Sequence, residues 1–285
     1  VLKLRVDGSI EWQKTYGGIE WDEADSIQQT SDGGYIVAGD TGSFGPIFEE
    51  SSDIWILKLR ADGTVEWQKI YGREYDDGAR SVQQTRDGGY IVAGLITPFR
   101  NEDDWIMDFW VLKLRADGSI DWQKRYGGDY WQNADSIQQT SDGGYVVAGW
   151  TTSFGRGFDA WVLKLTPDGS IEWQKTYGGG GSDDANSIQQ TSDGGYIVAG
   201  GTESFGAGEA DLWVLKLRPD GSIDPSCDLV RATKISSGKD SDVAVKSPRI
   251  IPFDSRANLQ CPTFRSRITN VLANILCPQA ASGGD

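Results

Sequence analysis

The chain has 285 residues, 38% of them hydrophobic, with 37 Gly, 12 Trp, no His and a formal net charge of −15. Absence of His excludes a Ser-His-Asp or Cys-His nucleophile and His-based zinc or haem ligation. The acidic balance sits in residues 1–224, with 19 basic and 37 acidic side chains; such a body repels phosphate backbones, so nucleic acid is not an expected partner, and no apolar run reaches the roughly 18 residues of a membrane span.

The first recognisable element is Val1-Leu2-Lys3-Leu4, a copy of a segment that returns as WVLKL or WILKL at Trp55, Trp110, Trp161 and Trp213. Next comes EWQKTY, starting at Glu11 and returning in variant form at Glu66, Asp121 and Glu172. SIQQT follows from Ser26, with copies at Ser81, Ser136 and Ser187, and YIVAG from Tyr35, with copies at Tyr90, Tyr145 and Tyr196. Self-similarity at just over fifty residues is the mark of a repeat architecture. Between the segments stand SDGG or RDGG and DGS or DGT steps, whose Gly residues supply the positive φ of tight hairpin turns. β-Branched and aromatic enrichment predicts four short strands per unit. The order predicts SIQQT innermost, YIVAG second, WVLKL third and EWQKTY outermost. The fold class is therefore all-β: a β-propeller of four-stranded antiparallel blades, four in the favoured count and five as the alternative, over residues 1–224, with a non-repeat C-terminal tail over 225–285. Eight Trp at repeated positions (Trp12, Trp55, Trp67, Trp110, Trp122, Trp161, Trp173, Trp213) are expected to pack between blades.

The last unit lacks an outer strand, because Asp224-Pro225 leaves the repeat. Three repairs are open. Glu11–Tyr16 closes the ring as the missing strand; or Val1–Tyr16 becomes a fifth blade completed by tail stretches Leu229–Ile235 and Asp242–Ile251; or a neighbouring subunit fills the open edge. The tail is mildly basic, with eight basic and five acidic residues. Its segment Phe264–Leu276 places Ile268, Val271, Leu272, Ile275 and Leu276 on one helical face, suited to docking. All three Cys lie there, with no C-x-x-C spacing. The expectation is one disulfide formed in an oxidising compartment, Cys261–Cys277, with Cys227–Cys277 as the alternative.

The pattern WVLKLxxDGSIxWQKTYGG…SIQQTSDGGYIVAGxTxSFG resembles a family of bacterial and archaeal extracellular repeat proteins regarded as β-propellers, with a strand order similar to Kelch-type blades. The resemblance covers about residues 1–224. It implies the fold and an extracellular or cell-surface setting, and no activity. The second repeat departs from the pattern at Arg73, Arg80 and Arg86 and in the insert Thr97–Phe109.

Candidate chemistry gathers in the loop before each SIQQT segment. The pairs Asp22/Glu23, Asp76/Asp77 and Asp183/Asp184 are candidate calcium ligands, since Ca²⁺ takes carboxylate oxygens; the competing role is to accept hydrogen bonds from local backbone amides. No other cofactor is expected. Trp21, Tyr75, Tyr130 and Trp131 on the same loops, with Trp105 and Trp150, are candidates for stacking on sugars or for contact with protein. The Gln pairs beginning at Gln28, Gln83, Gln138 and Gln189 should sit near the axis, where the favoured role is hydrogen bonding between blades and the alternative is one Gln of each pair lining a polar channel. The SIQQT strands carry no carboxylate pair of the kind a glycosidase needs. The leading functional expectation is thus a non-enzymatic extracellular structural or assembly protein, its partner a further copy of itself. The alternatives are an adhesin for surface proteins or glycans and, distantly, a carboxylate-dependent glycoside hydrolase or lyase.

Overall fold

The computed structural model describes residues 1–44, 51–72, 75–97, 106–154, 157–206 and 209–223, and the backbone alone of 232–234. Every regular element among them is a β-strand. The strands are β1 (Leu2–Leu4), β2 (Ile10–Gln13), β3 (Asp22–Gln29), β4 (Tyr35–Thr41), β5 (Asp53–Leu59), β6 (Val65–Tyr71), β7 (Gly78–Gln84), β8 (Tyr90–Ile96), β9 (Asp108–Leu114) and β10 (Ile120–Tyr126). They continue with β11 (Gln132–Gln139), β12 (Tyr145–Thr151), β13 (Asp159–Leu165), β14 (Ile171–Tyr177), β15 (Ser187–Gln190), β16 (Tyr196–Thr202), β17 (Asp211–Leu217) and β18 (Ala232–Lys234).

Asp-Gly chemistry sets the hairpins. Between β5 and β6, Gly63 has φ +75°; its N–H donates to the Arg60 carbonyl at 2.9 Å, and Asp62 accepts from the Thr64 N–H and hydroxyl. A Cβ is strained at such a φ, so Gly is required. Antiparallel pairing yields three complete blades, β3-β4-β5-β6, β7-β8-β9-β10 and β11-β12-β13-β14, in the expected order from SIQQT to EWQKTY. A fourth blade has the three strands β15-β16-β17, and β1-β2 is a separate hairpin. The fold is an all-β propeller array.

Two strand assignments differ from expectation. Residues Glu11–Tyr16 do not complete the last blade: β2 pairs with β1, Lys3 opposite Trp12, and the hairpin lies where the outer half of a preceding blade would stand. The cause is packing, since Trp12 meets Tyr35 edge-on at 5.8 Å, just as Trp67 meets Tyr90, and Tyr16 donates to the Gly63 carbonyl as Tyr71 does to that of Gly118. In the stretch Leu229–Ile235, the described backbone 232–234 joins the outer edge of β14 rather than the hairpin. Asp242–Ile251, Phe264–Leu276 and the three Cys lie outside the described residues. The chain divides into two compact units, Val1–Pro248 and Arg249–Asp285.

Each core lies between two blades. Ile36, Ala38, Ile54 and Ile56 of the first blade pack on Val82, Tyr90, Val92, Trp110 and Leu112 of the second; the second and third, and third and fourth, repeat this. Trp55, Trp110, Trp161 and Trp213 are all buried. The repeated Lys of WVLKL has a partner the sequence pattern did not disclose. Lys58, Lys113, Lys164 and Lys216 bind the Asp of the DGG turn in their own blade at 2.7–2.8 Å, namely Asp32, Asp87, Asp142 and Asp193. Hydrogen bonds from Lys58, Thr30 and Gly34 hold Asp32 well below the usual carboxylate range.

Candidate binding surfaces around the axis

The inner strand of a blade has one free edge, and its N–H groups need acceptors. The neighbouring blade supplies them through side chains. Gln28 accepts from the Gln84 N–H at 2.6 Å, Gln83 from Gln139 at 2.7 Å and Gln138 from Gln190 at 2.6 Å. Ser26, Ser81 and Ser136 accept likewise from Val82, Ile137 and Ile188. The second Gln of the pair reaches back, Gln84 accepting from the Ser31 N–H and Gln190 from that of Ser141. The Gln pairs are therefore stitches between blades. Around the axis, Ile27, Val82, Ile137 and Ile188 join Gln28, Gln83, Gln138 and Gln189 in lining a cavity of about 200 Å³.

Just before this lining, β3, β7 and β11 each carry a bulge, at Asp25, Arg80 and Asp135. A bulge re-aims its side chain. It also explains the Gly of YIVAG, because a Cβ on Gly39 would lie 2.0 Å from the Glu23 carbonyl oxygen. The re-aimed side chains meet across blades. Arg80 binds Asp40 at 2.7 Å and Asp25 at 3.2 Å, and its charge also acts on Asp135. Burial pushes Asp135 up to about 7, with Arg80 opposing and the Asp184 charge adding to the rise. Sequence reasoning passed over this cluster because its members come from different repeats and the bulge position breaks the consensus at Arg80. The signal was present in that very difference: Arg80 is the one cation at a position held elsewhere by Asp25, Asp135 and Asn186.

The paired carboxylates do not converge. Asp22 and Glu23 are successive residues of β3 and so face opposite sides of the sheet. Asp22 accepts from the Thr41 and Ser43 hydroxyls and the Gly18 N–H; burial raises its pKa, but these bonds outweigh it and the net shift is downward. Asp183 accepts from Thr202, Ser204 and Gly179 in the same way, and Asp77 accepts from the Thr97 N–H at 3.0 Å. Glu23 is exposed and Asp76 accepts from the Ser52 N–H, while Asp184 accepts from Gly201 and Asn186. Among the described residues no three carboxylate, Cys or His groups stand together as a metal site, so these pairs do not fit calcium as a set. Their geometry is that of loop-fixing acceptors. Trp21, Tyr130 and Trp131 are exposed, Tyr75 is half-buried, Trp150 packs on Phe158 at 4.9 Å, and Trp105 lies outside the described residues.

One buried carboxylate stands alone. Neither oxygen of Asp53 has a hydrogen-bond partner among the described residues, and burial, with the Asp76 charge, pushes it up to about 6. Its counterpart Asp108 binds Arg125 at 3.0 Å; the first blade has Ile70 where the second has Arg125. Ile70→Arg is expected to stabilise the protein by about 1–2 kcal/mol at neutral pH. The sign follows from linkage: a carboxyl whose folded pKa is raised loses stability as pH rises from about 4 to 6. The gain should be full above pH 6 and vanish near pH 4, as denaturant melts of both proteins at pH 4 and 7.5 would show.

Two open blade faces complete the inventory. On the last blade, Leu212 is 84% and Val214 54% exposed, whereas their counterparts Ile54, Ile56, Phe109, Val111, Ala160 and Val162 are fully buried. On the first blade, Ile27 is 52% exposed, whereas Val82, Ile137 and Ile188 are buried.

A family model described as a domain of unknown function (DUF5122) beta-propeller matches residues 140–172 and 191–226. None of the curated proteins matches the chain. Among solved structures, a xylan beta-1,4-xylosidase from Bacillus halodurans C-125 is similar at 14% identity over 84% of this chain and 48% of its own, with a TM-score of 0.38. The chain thus spans about half the length of that enzyme, and the likeness is too low to bear on function.

Proposed function

We propose that the protein is a non-enzymatic structural subunit of the cell exterior, assembling with copies of itself into a filament or layer. The observation that carries this reading is the pair of open apolar faces at opposite ends of the blade array. Apolar surface of this kind, repeated inside the molecule as a buried interface, marks a place for a partner. The extracellular setting follows the resemblance of the repeats. Loop carboxylates engaged as acceptors, and an axis lined by Gln, Ser and aliphatic side chains, favour a scaffold over a hydrolase.

Electron microscopy of the purified full chain is expected to show filaments or sheets, and assays with aryl glycosides and esters to show no turnover. Isolated particles at every concentration would overturn the assembly reading. Turnover abolished by Asp135→Asn alone would overturn the non-enzymatic one. A second reading, an adhesin, is favoured by the exposed Trp21, Tyr130 and Trp131 on one set of loops; glycan binding lost in Trp131→Ala, by isolated particles, would establish it instead.

A further inference from the structure

The two open faces are halves of one interface. On the last blade the exposed set is Leu212, Val214 and Ala199. Its counterparts on the first blade, Ile54, Ile56 and Ala38, are buried against the second. The set that receives them there includes Ala79 and Val82 on the inner strand. On the first blade that receiving position is held by Ala24 and Ile27, both exposed. Only the outer part of this receiving face is covered: Val1 and Tyr16 of the hairpin pack on Trp55, Leu57 and Leu59.

Strand content matches in the same way. The last blade has its three inner strands, and among the described residues the outer edge of β17 holds only the isolated bridge from Leu217 to Ile223. The hairpin has an outer strand, β2, and no inner ones. Residues Val1–Leu4, which contain β1, and the end of β17 carry the same four residues, Val-Leu-Lys-Leu. In β1, Lys3 stands opposite Trp12, as Lys58 stands opposite Trp67 within the first blade. Lys216 of another copy can therefore take the place of Lys3 without change of register.

We propose that the assembly contact is head to tail between two copies of this chain: β15, β16 and β17 of one copy fill the inner place beside β3 of the next, and β17 displaces β1 to pair with β2, giving one composite four-stranded blade. The occupant is a second copy because the two faces repeat, position for position, an interface this sequence already makes three times. The inner-edge stitches are then completed too. Ser187 and Gln189 of one copy accept from the Ile27 and Gln29 N–H groups of the next, as Ser26 and Gln28 accept within the chain from Val82 and Gln84. Such a contact is heterologous and propagates unless it closes. This inference rests on the assembly reading and adds the surface and the partner.

The test mixes two full-length proteins, both with Cys227, Cys261 and Cys277 changed to Ser. One carries Ala199→Cys and the other Ile27→Cys; the strands bearing their counterparts Ala38 and Val82, β4 and β7, pack together within the chain. With a short bismaleimide, the mixture is expected to give a covalent dimer at least tenfold above either protein alone. A second arm uses Leu212→Glu with Val214→Glu in the otherwise native chain. These positions are exposed in the free chain, so the blades remain folded, while the sedimentation-average mass, expected to be at least twofold above monomer for the native chain, returns to monomer. If the native chain assembles but the charged variant assembles equally, this inference is overturned and the assembly reading survives through another surface. If the mixture gives no dimer and a third protein carrying both Ala199→Cys and Ile27→Cys crosslinks only within its own chain, the ring closes on itself and the inference is overturned. A native chain that stays monomeric overturns both.

Discussion

Trp161→Ala is expected to destabilise the protein by about 3–5 kcal/mol, the range for removing a fully buried large aromatic. Trp161 is 1% exposed, its ring meets Phe109 at 4.5 Å and Phe154 at 5.3 Å, and it lies in the core between the second and third blades. Its indole N–H has no hydrogen-bond partner among the described residues, so the loss is one of packing: the side chain's transfer from water and the cavity it would leave. That cavity would sit between two rigid sheets whose backbones cannot collapse into it. The midpoint of urea unfolding, followed by far-ultraviolet dichroism, measures the change. Trp21→Ala, an exposed position, serves as the control and should shift stability by less than about 0.5 kcal/mol. Equal effects in the two variants would mean that the blades are not held by this layer.

Arg80→Leu should cost about 2–3 kcal/mol at neutral pH. The substitution leaves Asp40, whose side chain is almost wholly buried, without its cation; breaking a buried pair from one side is costly because the remaining charge is uncompensated. Arg80 itself is partly exposed, which places the figure at the lower end. Burial already raises Asp40 and Asp25 despite the attraction of Arg80, and without it both rise further. A raised folded pKa means the folded state holds its proton longer than the unfolded one, so stability is full near the ordinary carboxylate pKa and falls as pH rises. The penalty of the variant is therefore expected to grow from pH 4 to neutrality. A penalty constant over that range would show that Arg80 acts through packing of its stem alone.

The blades and their strand order were legible because every cue in the repeat agrees: DGG and DGS steps where φ is positive, β-branched runs between them, and Trp at fixed spacing. The stitching role of Gln28, Gln83 and Gln138 was legible for the same reason, since a pair of amides on an inner strand edge has few other uses. What stayed hidden depends on contacts between units. The cluster around Arg80 unites residues of different repeats, and its members differ from copy to copy, so a consensus view averages it away. The Lys58–Asp32 pair joins residues 26 apart in sequence, each with an adequate local explanation, one in a strand and one in a turn. The fate of Glu11–Tyr16 turned on a competition between pairing with β17 and pairing with β1; Trp12 on Tyr35 and Tyr16 on Gly63 decide it, and neither contact can be weighed from spacing alone.

The stitches between inner strands have a consequence for how such a chain can change. Each seam joins adjacent blades through the same three side chains, Ser26 and Gln28 of one blade and Gln84 of the next, or their equivalents. Stability is then close to a sum over seams rather than a property of the whole, as in other arrays of like units. Excising one complete unit, such as residues 27–81, would join Ser26 to Val82 and leave Ser26 and Gln83 facing the Ile137 and Gln139 N–H groups, as Ser81 and Gln83 face them now. Gain or loss of a unit by recombination between the near-identical repeats would leave the Ser and Gln stitches of every remaining seam unchanged, the Arg80 cluster being the exception that belongs to one seam. Unit number is thereby nearly free to drift, and the two ends, whose open faces cost the same whatever lies between them, are where selection on such a chain has its purchase.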